Sequence, residues 1–128
     1  MIEIELDLSE IMDYFEDISE RMKHADVLLE KETKRQSAKF LRKVKLKTPV
    51  NTGVLRRRWV EDNVSKTNDT YSSEITNNVE YVGYVNDGHR TRGGKSFVPG
   101  VHMVEKAGAE LEQELEADID KLMKKLFE

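Results

Sequence analysis

The chain has 128 residues, with 21 Lys and Arg against 25 Asp and Glu, no cysteine, and a charged fraction of 36% that nearly equals its hydrophobic 38%. This length and composition allow one thinly cored domain over residues 1–128, of the kind that gains part of its stability from partner subunits. They exclude disulfides, thiolate nucleophiles and Cys-ligated zinc, and with no export-type start and no apolar run near the roughly 20 residues of a membrane span, a soluble cytosolic product without a membrane partner is expected.

In chain order, Ile2, Ile4, Leu6 and Leu8 alternate with acids at the period of a half-buried strand. Ser9 suits an N-cap, and Ile11, Phe15, Ile18 and Met22 predict a helix from about Glu10 to Lys23. A longer helix is expected from about Asp26 to Leu46, with Leu29, Thr33, Ser37, Phe40, Leu41 and Val44 on its less polar side. It must stop before Pro49, because proline disfavours helical backbone in the residue ahead of it, Thr48. Lys43, Lys45 and Lys47 near that end suit the negative pole of the helix dipole.

Thr48-Pro49-Val50-Asn51-Thr52-Gly53 carries turn chemistry. Val54–Ser65 and Tyr71–Thr76 read as two strands joined around Thr67-Asn68-Asp69, with Arg57 and Trp59 on one face of the first. The apolar cluster of Asn78–Asp87 (Val79, Tyr81, Val82, Tyr84, Val85) fits either a short helix or a third strand. Asp87–Lys95, with three glycines and the side chains of His89, Arg90 and Arg92, reads as an exposed mobile loop closed by Pro99-Gly100. The last helix is expected over Val101–Phe127, its apolar row being Val104, Gly108, Leu111, Leu115, Ile119, Leu122 and Leu126.

Charge is unevenly distributed. Residues Lys31–Arg58 hold 11 basic side chains and one acid, while the excess acid lies elsewhere, chiefly in the last helix. A polarised molecule of this kind suits head-to-tail pairing of identical subunits, contact with nucleic acid through the basic side, or a solvated basic face. Arg56-Arg57-Arg58 beside Trp59 is the strongest nucleic-acid-like feature, yet on a strand only Arg57 and Trp59 point the same way.

No catalytic, cofactor or metal site is expected. His24, His89 and His102 lack the spacing of metal ligands, and no nucleophile elbow or His-Glu-x-x-His pair occurs. Gly93-Gly94-Lys95-Ser96 matches only the end of a phosphate-binding loop, since His89 occupies the position of its first glycine. The carboxylates of Glu110 to Asp120 spread around the last helix and read as a solvated face.

Three segments in fixed order carry a resemblance. Thr48-Pro49-Val50-Asn51-Thr52-Gly53-Val54-Leu55-Arg56 resembles the Thr-Pro-x-(Asp/Asn)-Thr-Gly-x-Leu-(Arg/Lys) signature of the tail-completion or neck family of tailed bacteriophages. Tyr81-Val82-Gly83-Tyr84-Val85-Asn86-Asp87-Gly88-His89-Arg90 resembles that family's Tyr-x-x-Tyr-Val element, and Phe97-Val98-Pro99-Gly100 its Pro-ending turn before the last helix. Asn51 stands where Asp is commoner, Asp87 where an aromatic is usual, and Gly100 where Ala is common.

The resemblance implies an α+β fold, with long N- and C-terminal helices packed on one face of a small antiparallel sheet. It also implies a non-enzymatic subunit of a phage or prophage virion, made in the host bacterial cytoplasm. That subunit would form a ring, hexameric in the assembled tail, that completes the tail tube and joins it to the head connector. Its implied partners are itself, the connector, the tail-terminator or tail-tube proteins, and DNA passing through the lumen without tight binding. Candidate interface or lumen residues are Lys39, Arg42, Lys43, Arg56, Arg57, Arg58, His89, Arg90 and Arg92; Pro49, Thr52, Gly53, Gly88 and Pro99 are the motif's turn residues. Lys39, Arg42, Lys43 or Arg56 of one subunit are expected to pair with the Glu110–Asp120 stretch of the next. The alternative is a small nucleic-acid-binding protein using residues 31–58.

Overall fold

The computed structural model describes residues 2–7 and 19–127. Its elements are β1 (Ile2–Asp7), α1 (Ser19–Lys47), α2 (Val54–Arg57), β2 (Trp59–Glu61), β3 (Ser65–Thr67), β4 (Thr70–Asn77), α3 (Val82–Asp87), β5 (Gly88–Arg90), β6 (Phe97–Pro99) and α4 (Met103–Leu126). The expected α+β fold is the one observed.

β4 is the spine of the sheet. β1 runs antiparallel along one side of it, from Ile2 opposite Ile75 to Asp7 opposite Thr70. β2 and β3 follow one another along the other side, opposite Asn77 to Ile75 and Ser72 to Thr70. Between them the Asp62 N–H bonds the Glu74 carbonyl at 2.8 Å, so the ladder continues through an irregular link. The predicted Asn68-Asp69 turn is present, with Asn68 at φ 56°. Alternate residues of β4, Tyr71, Ser73 and Ile75, are buried under α1, the period of a sheet covered on one face.

Three expectations about elements change. α1 runs unbroken through His24 and Ala25, where a gap between two helices was expected, because Ala25 is fully buried and nothing there breaks a helix. The rest of the expected Glu10–Lys23 helix lies outside the described residues. Val54–Arg57 is a turn of helix entered from Gly53 at φ 81°, not the start of a strand, so Arg57 and Trp59 do not share a strand face. Of the open choices for Asn78–Asp87, the helical one holds for Val82–Asp87, and Gly88–Arg90, expected in a loop, pairs with Phe97–Pro99 as a hairpin.

α4 packs along α1 over the sheet, and the core has two apolar parts. One joins Ala25, Leu29, Tyr71, Leu122 and Leu126; the other joins Ile4, Phe40, Val44, Leu55, Trp59, Ile75, Met103 and Ala107. A buried polar belt of Thr33, Gln36, Ser37, Ser73 and Asp118 lies on the same helices and strand, at positions between those two sets. The belt is internally bonded. Ser37 and Ser73 hydroxyls meet at 2.9 Å, Thr33 Oγ1 donates to the Leu29 carbonyl at 2.9 Å, and Gln36 Nε2 donates to Asp118 Oδ2 at 2.9 Å.

Candidate assembly surfaces

The Thr-Pro turn is built as a brace between α1 and the sheet. Thr48 Oγ1 donates to the Val44 carbonyl at 2.6 Å, taking one of the carbonyls left unpaired at the end of α1. The same oxygen accepts from Trp59 Nε1 at 2.9 Å, which satisfies the one polar atom of the buried indole ring. Arg56 Nε donates at 2.8 Å to the Lys45 carbonyl of the same helix end, which also accepts from the Thr48 N–H at 3.2 Å. Pro49, Asn51, Thr52, Gly53, Val54 and Leu55 line a surface cleft together with Tyr81, just ahead of α3, and Val85 on it.

A second brace centres on Asn86, which is 8% exposed. Its Oδ1 accepts from the Val104 N–H at 3.0 Å and so caps the first turn of α4 from 18 residues upstream. Its Nδ2 donates to Glu105 Oε1 at 3.0 Å and to Asp87 Oδ1 at 2.9 Å, while its own carbonyl accepts from the His102 N–H at 2.9 Å. His102, the residue at the formal cap position, makes no side-chain cap bond. Gly88 and Gly100 face each other across this knot. A Cβ on Gly88 would stand 2.5 Å from the Val98 carbonyl oxygen, and one on Gly100 would stand 2.5 Å from the Gly88 nitrogen.

From that rigid base the β5–β6 hairpin projects outward. Tyr84 is 64% and Phe97 59% exposed, Tyr81 and Val98 are also exposed, and His89 lies tilted against Tyr84 with ring centroids 5.6 Å apart. Arg90, Arg92 and Lys95 are exposed around the tip, and no acid occurs between Gly88 and Val104.

Along the opposite long side, α1 and α4 are joined by a ladder of ion pairs. Arg35 meets Asp118 at 3.3 Å; Lys39 meets Asp118 at 2.5 Å and Glu114 at 2.7 Å; Lys43 meets Glu114 at 2.9 Å; Lys47 meets Glu110 at 2.5 Å. The cations recur every four residues down α1 and the acids every four up α4, the register of antiparallel helices. Bonds from Lys39 and Gln36 outweigh the cost of burying Asp118 and hold its carboxyl down at about 2.

The family described as "Bacteriophage HK97-gp10, putative tail-component" matches residues 9–88. The chain belongs to this family. No curated protein and no solved structure matches it. In this HK97-gp10-like tail component the Thr48 brace falls inside the matched span, whereas the Asn86 brace joins it to β6 and α4, which lie past it. A structural role in a phage tail follows from the family.

The predicted residues of the tail component separate into three groups. Lys39 and Lys43 are bonded to α4 of their own chain; the pairing with Glu110–Asp120 that the sequence suggested between subunits forms here within one, because α1 and α4 lie side by side. Arg56 caps α1, and Arg57 reaches only the Thr52 carbonyl at 3.4 Å. Arg42, Arg58, His89, Arg90 and Arg92 stand exposed, Arg42 beside the 70% exposed Leu46 in a shallow groove on α1. Pro49, Thr52 and Gly53 line the cleft against α3, and Gly88 and Pro99 close the hairpin base. Asn86 and Asp118 were missed. Neither carries a local signal, since Asn86 acts on a helix that begins later and Asp118 is one acid among many on α4. Among the described residues, no group of three or more His, Asp or Glu side chains is placed to hold a metal, and no helix is long and apolar enough to cross a membrane.

Proposed function

We propose that this tail component is a ring-forming subunit of the head–tail junction of a phage or prophage. The ring, sixfold in the assembled tail, completes the tail tube and offers a docking surface to the head connector and the tail-tube or terminator protein. DNA passes through its lumen without being held. The chain forms one domain, works without a catalytic centre, and is assembled in the bacterial cytoplasm.

The observation that carries this reading is the concentration of unpartnered surface after the Thr-Pro turn. Four of the nine large hydrophobic side chains exposed among the described residues fall here: Tyr81 just before α3, Tyr84 on it, and Phe97 and Val98 on the hairpin it leads into. Exposed apolar side chains gathered in one part of the chain and edged with cations are what a subunit covers on assembly. The nucleic-acid reading draws less support, because Arg35, Lys39, Lys43 and Lys47 are bonded to carboxylates and Arg56 to a carbonyl, which leaves fewer cations for phosphates.

The test is a nonsense mutation in the gene of a phage carrying this protein. Separate DNA-filled heads and tails, rejoined when purified protein is added, are the expected result, with rings visible by negative-stain microscopy at the tail end. Normal joined particles from the mutant would overturn the reading.

A further inference from the structure

α4 carries two rows of acids. Glu110, Glu114 and Asp118 face α1 and are used in the ladder. Glu112, Glu116 and Asp120 form a second row on another side of the helix, exposed and without an ion pair among the described residues. At four-residue spacing this row is about 12 Å long. Glu5 of β1 lines the same shallow groove as Glu112 and adds a fourth acid beside it. Ala109, Gln113 and Ala117, also exposed, border the row with small or polar side chains over which aromatic rings can pass closely.

The hairpin is the complement of this surface. Arg90, Arg92 and Lys95 meet no acid among the described residues, and they cluster at the end of the hairpin, Arg90 closing β5 and Arg92 and Lys95 lying in the turn where the Gly94 N–H bonds the Thr91 carbonyl at 2.8 Å. Within one chain the two cannot meet readily: the hairpin leads into the start of α4 at Met103, whereas Glu112 lies nine residues further on, about 13 Å along the axis. Lys124 continues the acidic row with the opposite sign, so the match has an end as well as a middle.

We propose that the β5–β6 hairpin of one subunit docks on the outer face of α4 of a second copy, Arg90, Arg92 and Lys95 against Glu112, Glu116 and Asp120, with Tyr84 and Phe97 laid over Ala109 and Ala117. The two patches differ, so the contact is head-to-tail and propagates around a ring. This rests on the ring-forming reading above and names the surfaces that make it.

The experiment uses the full chain in assembling phage, with two charge reversals: Arg90→Glu with Arg92→Glu and Lys95→Glu, and Glu112→Lys with Glu116→Lys and Asp120→Lys. Each triple variant should fold as judged by circular dichroism yet lower ring yield by a factor on the order of ten or more, and the combined six-residue variant should recover it. Because the chain has no cysteine, Arg92→Cys with Glu116→Cys adds an independent readout. Oxidation should give covalent multimers from the double variant, and none from either single variant or from Arg92→Cys with Glu114→Cys. Rings that form normally from the reversed chains, or that never cross-link, overturn the contact and leave the ring reading standing. Absence of rings from the unaltered chain overturns both. Normal rings with lost DNA affinity in the hairpin variant would reassign the hairpin to nucleic acid.

Discussion

Thr48 has a single hydroxyl with two close bonding partners, the Val44 carbonyl as acceptor and the Trp59 indole as donor, and a weaker third in Met103 Sδ at 3.5 Å. Thr48→Val keeps the shape and leaves both partners buried and unpaired, which costs about 1–3 kcal/mol. Urea unfolding should show that loss. Because Trp59 is the only tryptophan, its emission should shift at the same time, and an unchanged midpoint would contradict the bracing role. Asp118 gives a pH signature of its own. Its carboxyl lies at about 2 when folded against 3.8 for the ordinary group, so the carboxylate is favoured by folding. A depressed folded value stabilises above the unfolded value, and that contribution is lost as pH falls from about 4 through about 2. Asp118→Asn should therefore cost about 2 kcal/mol at pH 7, and the gap from the unaltered protein should close between pH 4 and 2. A gap that stays constant down to pH 2 would show that the substitution acts by packing alone.

At the scale of elements, the hairpin stands where it does because two backbones touch at Gly88 and Gly100. Gly88 is held at φ 90°, and a methyl at Gly100 would collide with the Gly88 and Asn86 backbones, neither of which can yield without moving the cap of α4. Gly100→Ala should lower stability by about 2 kcal/mol or more and speed amide exchange in the first turn of α4, where the Val104 N–H is bonded by Asn86. Unaltered exchange there would separate the hairpin base from the cap. These elements differ in how far the sequence revealed them. The helical period of α4, the Tyr71–Thr76 strand and the turn at Asn68 were each legible, because each carries a local signal. The single helical turn of Val54–Arg57 is too short to show a period and is fixed by Gly53 and the burial of Leu55. The ladder was misassigned for a related reason. Its acids and cations are 63 residues apart for Lys47 and Glu110 and 83 (118 − 35) for Arg35 and Asp118, and which rows meet depends on the rotation of two helices that composition does not specify. The hairpin's cations were recognised as surface groups, but its strand pairing, three residues a side, was not.

Over the whole molecule, a polar belt lies among the two sets of apolar side chains, which raises the question of whether they melt together. The first set contains Tyr71 and the second Trp59, residues on strands that pair with or belong to β4. Both sets take side chains from α1 and α4, and the belt's groups are bonded to each other and to Lys39, with Gln36 Oε1 the buried side-chain oxygen that finds no partner among the described residues. Unfolding either part alone would strip half of each long helix of its packing and expose Asp118 without its partners, so partial unfolding saves little conformational entropy for what it loses. A domain of this size with shared elements should unfold in one step. Thermal melts followed by Trp59 emission, which reports the second set, and by helical circular dichroism, which reports both, should superimpose. Weakening the belt by Ser37→Ala with Ser73→Ala, which removes both hydroxyls and leaves the part-buried Asp62 carbonyl without its Ser73 donor, should shift the two curves together by about 1–3 kcal/mol. If the tryptophan curve separates from the circular dichroism curve in the unaltered chain, the belt is a boundary between two folding units and the single-domain reading fails.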